Sequence, residues 1–280
     1  MADALARKER VLRDAIRGYG SCLVAFSGGV DSALVVAIAA QELGPCALAI
    51  TGVSPSLPRA ERDAACDFAR GVGARHDLLD TLELDDPNYA ANPANRCYFC
   101  KSELYGALQA YARRHGFATI LDGLNYDDLA EVRHGRRAAD ERDVQSPLAQ
   151  AELTKADVRA LARRMNLAVW DKPAAACLAS RFPTGTAITR ELLERVERAE
   201  AVLAAAGLRE YRVRHHGDLA RIEVPLDAFD RVLAHRDAIV RGIKEAGYRA
   251  VTLDLGGYVR GGAATAASEH ATIDLVAALP

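Results

Sequence analysis

Ser21-Cys22-Leu23-Val24-Ala25-Phe26-Ser27-Gly28-Gly29-Val30-Asp31-Ser32 decides the fold. Ser21 to Phe26 is a short apolar run, the pattern of a strand buried on both faces. Ala33 to Leu43 reads as a buried helix, ended by Gly44-Pro45. Between them, Gly28 and Gly29 let the backbone approach a ligand closely. The free N–H groups of the helix start favour an anion there. Ser27 and Ser32 add hydroxyls, and Asp31 would repel a bare phosphate unless Mg²⁺ lay between them. Strand, Ser-Gly-Gly-Val-Asp-Ser and helix together predict a phosphate loop of Ser27, Gly28, Gly29, Val30, Asp31 and Ser32, against the alternative of an ordinary tight turn. Neither G-x-x-x-x-G-K-[ST] nor G-x-G-x-x-G occurs here, which argues against a Walker-type NTPase or a dinucleotide fold.

Working outward, Cys46 to Thr51 is a second apolar run, Pro58 opens a helix over Arg59 to Ala69, and Ala74 to Asp80 and Thr119 to Asp122 are further strands. This alternation predicts βαβ units and a parallel sheet. Thr51 and Gly123 then lie at carboxyl ends of strands, where ligands collect in such sheets. Thr81 to Asn95 reads as a long loop, and Asn125 to Val144 as a charged lid or a solvated connection. A helix capped by Thr154 runs to about Met165. A domain boundary is expected at Pro183-Thr184-Gly185-Thr186, giving domains 1–185 and 186–280. The second contains helix Arg190 to Ala206, a hairpin of Tyr211 to His216 and Leu219 to Val224, two short helices and strand Ala250 to Leu255. The fold class expected is α/β, with a smaller C-terminal α+β domain.

The chain has 280 residues, 36 Lys and Arg against 38 Asp and Glu, and a formal charge of −2. That balance argues against a nucleic-acid coat or a polybasic membrane binder. No apolar run is long enough to span a bilayer. The N-terminus lacks a leader's apolar segment and reads as an amphipathic helix carrying Leu5, Leu12, Ile16 and Tyr19. A cytoplasmic location is the expectation, and there the six cysteines are not a disulfide framework.

Cys22, Cys46 and Cys66 read as buried thiols. Cys97, Cys100 and Lys101 share one face at a helix start, and Cys177 sits in a segment with basic flanks. Such surroundings predict lowered thiol pKa values. Three readings stay open: a [4Fe–4S] cluster on Cys97, Cys100 and Cys177 with one open iron; a Cys97–Cys100 dithiol with Cys177 a separate nucleophile; or inert packing cysteines. Arg212 and Arg214 alternate on a strand and face one side. Two guanidiniums there suit a phosphate or mark a solvated edge strand. His215 and His216 point to opposite faces and receive no catalytic role.

The Ser27–Ser32 loop resembles the PP-loop of the ATP pyrophosphatases, in which it holds the β,γ-pyrophosphate while the α-phosphorus is attacked. Together with NRCYFCKSELY, SPLAQAELTK, WDKPAAACLASRFPTGTAIT and YRVRHHGDLARIEV, in this order, it resembles the LarE family, sulfur transferases of nickel-pincer nucleotide biosynthesis. The resemblance covers nearly the whole chain. It implies ATP-dependent adenylation of the carboxylates of pyridinium-3,5-biscarboxylic acid mononucleotide, followed by attack of sulfur and departure of AMP. It further implies that Lys101 stands near the reacting carboxylate, with Asp31 and Cys177 as the other catalytic residues. Ser180, Arg212 and Arg214 would hold the substrate's phosphate, and Glu200 and Glu223 would be acidic metal-site positions at a subunit interface. Cys177 would be sacrificed to dehydroalanine in single-cysteine members, or would join a cluster in three-cysteine members, the kind this sequence resembles in having Cys97 and Cys100. The assembly implied is a homo-oligomer, a hexamer. The rivals are a cluster-bearing PP-loop tRNA thiolase, which would need a basic face, and an amide-forming PP-loop ligase, which would leave the cysteines without a role.

Overall fold

A computed structural model of the chain describes residues 2–130, 134–173 and 176–258. Residues 131–133 of the charged stretch, Ala174 and Ala175 of the Cys177 segment, and the Gly- and Ala-rich tail beyond 258 lie outside the described residues. The chain divides into two compact units, Met1–Ala176 and Cys177–Pro280. The division falls N-terminal to the boundary expected near 185. Arg181 hydrogen-bonds Glu200, and Arg214 donates to the Ser180 carbonyl, so the 177–182 segment is bonded within the second unit.

The first unit begins with helix α1 (Ala2–Gly18), strand β1 (Cys22–Ala25), helix α2 (Val30–Leu43), strand β2 (Ala47–Val53), helix α3 (Arg59–Gly71) and strand β3 (His76–Asp80). It continues with a short helix α4 (Pro87–Ala90), helix α5 (Arg96–His115) and strand β4 (Thr119–Leu121), then helices α6 (His134–Asp140), α7 (Pro147–Gln150) and α8 (Lys155–Arg164). The four strands are all parallel, in the order β3-β2-β1-β4. The chain builds outward from β1 through β2 to β3, then returns to pair β4 on the other side of β1. The carboxyl end of β1 is therefore the switch point at which parallel sheets open a crevice.

Alternation along β1 divides the core. Cys22, Val24 and Phe26 face the layer containing α1, α2 and α8, while Leu23 and Ala25 face Tyr105 and Leu108 of α5 on the other side. α2 is apolar nearly all round because it is covered, with Ala33, Leu34, Val35 and Ile38 fully buried. Truncating Leu34 or Ile38 to Ala would cost about 2–5 kcal/mol. α1 buries Leu12 and Ile16, as its spacing predicts, and Arg13 and Arg17 pair with Glu42 on α2. α8 starts on a capping box in which Thr154 accepts from the Asp157 amide and Asp157 accepts from the Thr154 amide. The charged stretch before α7 is more ordered than its composition predicts. Ala138, Ala139 and Val144 are buried against the sheet layer that holds α5.

The second unit holds helix α9 (Arg190–Ala205), strands β5 (Arg212–His216) and β6 (Leu219–Glu223), helices α10 (Phe229–Ala234) and α11 (Arg236–Glu245) and strand β7 (Ala250–Leu253). β5 and β6 form the expected antiparallel hairpin, and β7 adds parallel to β6. Ala199, Leu203, Val213, Ile222, Ile239 and Ile243 form its core. Among the described residues no helix is long and apolar enough to cross a membrane.

Candidate active site

The Ser27–Ser32 loop leaves β1 at the switch point and enters α2 with Gly29 as its N-cap. Gly28 takes φ +75°, a conformation side-chain-bearing residues resist. The Ser32 hydroxyl accepts from the Ser27 amide at 3.2 Å and lies 3.1 Å from Ser27 Oγ. Val30 begins the helix and is buried. Asp31 is bonded to the Lys155 ammonium and accepts from Asn125 Nδ2 at 3.3 Å. The loop pattern alone points to a metal at Asp31 and to no lysine. The partner comes from a helix start more than a hundred residues away, which local pattern does not reveal.

Beside the loop runs the turn after β4. An alanine Cβ at Gly123 would lie 2.6 Å from the Ser32 nitrogen and 2.8 Å from its Cα, so only glycine lets the two backbones meet. Asp122, buried, gathers this floor: it accepts from Ser146 Oγ at 2.8 Å, from the Leu124 amide at 3.1 Å and from Tyr105 Oη at 3.2 Å. Burial pushes the Tyr105 phenol up to about 12.

Tyr105 stands one turn beyond Lys101 on α5, and the Lys101 ammonium lies 5.3 Å from its ring centroid. Tyr105 foremost, against the opposing effect of burial, holds the ammonium's pKa above its ordinary value. The loop, α5, the β4 turn and α6 enclose a cleft of ≈ 490 Å³. Ser27, Asp31, Ser32, Cys97, Lys101 and Gly123 all line it, so five expected catalytic or phosphate positions and one cysteine meet in one place. Gly135 permits α6 to approach; a Cβ there would lie 3.1 Å from Lys101 Cγ. Thr51 on β2 donates to the Phe26 carbonyl and bonds His76 Nε2, both at 2.9 Å, and burial lowers the His76 pKa.

Cys97 is exposed and Cys100 half-buried at the start of α5; Cys177, half-buried, opens the second unit. Among the described residues no three histidine, cysteine or carboxylate side chains gather as a metal ion requires. Of the cysteines read as packing thiols, Cys22 is buried, with its pKa pushed up to about 12 by burial, and Cys66 is half-buried. Cys46 is exposed, because it closes the 3₁₀ turn Gly44–Cys46 instead of entering β2.

In the second unit Arg181 and Arg214 bond Ser180, and Arg212 lies close enough to both to feel their charge. Arg181 donates to the Cys177 carbonyl at 2.9 Å and to Ser180 Oγ at 3.0 Å. Arg214 donates to the Ser180 carbonyl at 2.8 Å. Arg212 lies over the Tyr258 ring, and burial lowers its pKa, with Arg181 and Arg214 adding to the effect. Glu200 takes a two-pronged bond from Arg181 at 2.8 and 3.0 Å, and Glu223 is bonded by Arg214 and Arg221. The two glutamates expected as metal positions thus hold the arginines in place. The only signal for Arg181 in the sequence is its Arg-Phe-Pro neighbourhood next to Ser180.

A Gly-Gly phosphate loop at the switch point of a parallel sheet, with lysines and a glycine-floored cleft beside it, defines a PP-loop α/β enzyme. No family model matches the chain. It is 45% identical over 92% of its length to an uncharacterized protein of Synechocystis, covering 97% of that protein. It is 36% identical over 92% of its length to the pyridinium-3,5-bisthiocarboxylic acid mononucleotide synthase of Lactiplantibacillus plantarum, covering 94% of it. A shorter likeness, 38% over 86 residues, joins it to the glutamine-dependent NAD(+) synthetase of Rhodobacter capsulatus, covering 30% of this chain and 15% of that one. The chain belongs to the LarE family.

Proposed function

We propose that this enzyme uses ATP to convert pyridinium-3,5-biscarboxylic acid mononucleotide to its bis-thiocarboxylate. The observation that carries the reading is the single cleft in which Ser27, Asp31 and Ser32 of the phosphate loop meet Lys101. A carboxylate is a poor electrophile until its oxygen becomes a leaving group. The loop amides and serine hydroxyls would hold the β- and γ-phosphates of ATP, and Lys101 would hold the substrate carboxylate against the α-phosphorus. Attack there forms the acyl-adenylate and leaves pyrophosphate in the loop. One carboxylate plus phosphate oxygens is a donor set that suits Mg²⁺, so Asp31 would hold that ion, which neutralises phosphate charge when bound.

Sulfur is assigned to Cys177. Its Sγ attacks the activated carbonyl and AMP leaves, giving a thioester. Loss of the Cys177 α-proton then breaks the Cβ–Sγ bond, leaving dehydroalanine in the chain and sulfur on the product. The alternative route is a cluster that Cys97, Cys100 and Cys177 would hold and that would supply the sulfur. Ser180, Arg212 and Arg214 would hold the nucleotide phosphate, a reading supported by the bonds of Arg181 and Arg214 to Ser180 and by Arg212 close to both guanidiniums. Mass spectrometry of Cys177 after one anaerobic turnover tests the sulfur route. Loss of the mass of hydrogen sulfide at Cys177 is expected. An intact Cys177 with thiocarboxylate formed, in a chain carrying about four irons, overturns the donor assignment in favour of a cluster.

A further inference from the structure

A second lysine stands at the phosphate loop. Lys172 donates to the Gly28 carbonyl at 3.2 Å and to Glu61 Oε2 at 2.7 Å, with Glu61 in the first turn of α3. Its backbone is tied down from α8, where Arg159 donates to the carbonyls of Trp170 at 2.9 Å and Lys172 at 3.1 Å. Arg159 lies one turn after Lys155, which pairs with Asp31. One face of α8 therefore sets two ammonium groups against the same loop.

Both ammoniums are matched to carboxylates, Lys155 to Asp31 and Lys172 to Glu61. A nucleotide's phosphates bring several negative charges to a loop whose lysines are already paired. The Lys172–Glu61 pair is part-exposed, at 21% and 23% of side-chain area, so solvent and an incoming anion can compete for the ammonium. A multiply charged phosphate can displace such a partner. An ammonium has three donors on a flexible stem, so Lys172 can keep the Gly28 carbonyl while one donor changes acceptor.

We propose that Lys172 is a phosphate-gripping residue, held on Glu61 when the loop is empty and transferred to a phosphate oxygen of bound ATP or pyrophosphate. The proposal rests on the reading of the loop as an ATP site. Glu61 then competes with the ligand, which gives the two partners opposite signatures. Calorimetric titration of the full chain with Mg·ATP and with inorganic pyrophosphate reads both. Lys172→Gln should weaken pyrophosphate binding by about tenfold, equivalent to about 1.4 kcal/mol. Glu61→Gln should strengthen it, since the ammonium loses its carboxylate, and Lys172→Arg should restore part of the lost affinity. Unchanged affinity in Lys172→Gln, or equal weakening in Glu61→Gln, makes the pair a mere brace and overturns the proposal. A wild-type chain that binds neither ligand overturns the reading of the loop itself, and this proposal with it.

Discussion

Gly123→Ala puts a methyl group into the phosphate loop from behind. The new Cβ would lie 2.6 Å from the Ser32 nitrogen, 2.8 Å from Ser32 Cα and 3.1 Å from the Asp31 carbonyl carbon. These are backbone atoms at the start of α2, and they cannot rotate away as a side chain could. Ordinary contact begins near 3.4 Å, so the loop and the β4 turn must part by roughly 0.8 Å. Overpacking of that kind costs about 1–3 kcal/mol, and in a domain of this size each kcal/mol lowers Tm by about 2–4 °C. The functional loss should be larger, because a displacement of about 1 Å at a reacting centre costs on the order of 100-fold in rate. Gly71→Ala is the control: nothing lies within 4 Å of its Cβ position, and its Tm should hold or rise slightly. Thermal melts and substrate-dependent pyrophosphate release check both variants. Gly123→Ala with wild-type Tm and rate would refute the close approach on which the cleft depends.

Asp31→Ala and Ser32→Ala should each abolish pyrophosphate release, the first also leaving Lys155 without its carboxylate; release at the wild-type rate in either would remove the loop from the reaction. Glu200→Gln should cost about 3–5 kcal/mol in urea unfolding, because it breaks a buried ion pair and leaves the Arg181 charge buried, and Arg181→Met with Glu200→Met should recover most of the loss. The His215 ring lies 5.0 Å from Phe182 and 5.7 Å from Tyr248, and burial first, then Arg195 and His216, hold its pKa below the ordinary value. The folded chain therefore binds fewer protons than the unfolded chain just below about pH 6.5, and stability falls as pH drops through that window. His215→Phe should flatten the fall in urea midpoint, and an unchanged slope would contradict the assignment.

The phosphate loop was legible because its signal is local: an apolar strand, two glycines and a helix start lie within twelve residues. The parallel sheet followed from apolar runs at regular spacing, and the hairpin at Gly217-Asp218 from two alternating runs. The bonding of Lys172 and Asp122 was illegible because their partners are distant in sequence: Glu61 and Gly28 for the first, Tyr105 and Ser146 for the second. The same holds for Arg181, whose role appears only when α9 brings Glu200 to it. The stretch around α6 misled because its charges are plentiful on the outer side, while Ala138 and Ala139, too small to make a strong apolar pattern, carry its burial. Thr81 to Asn95, expected as a long loop, contains a 3₁₀ turn and α4, pinned by the buried Tyr89, whose hydroxyl lies 2.6 Å from Ser56 Oγ.

The central claim is that the cleft activates a carboxylate with ATP so that sulfur can replace its oxygen. The most direct measurement is an anaerobic incubation of the full chain with Mg·ATP and pyridinium-3,5-biscarboxylic acid mononucleotide, followed by mass analysis of the nucleotide and assay of the phosphate products. The account predicts that each carboxylate converted gains the mass of one sulfur less one oxygen, with one AMP and one pyrophosphate released per conversion. Formation of ADP and inorganic phosphate instead, or AMP and pyrophosphate released with nitrogen and no sulfur on the product, would contradict it.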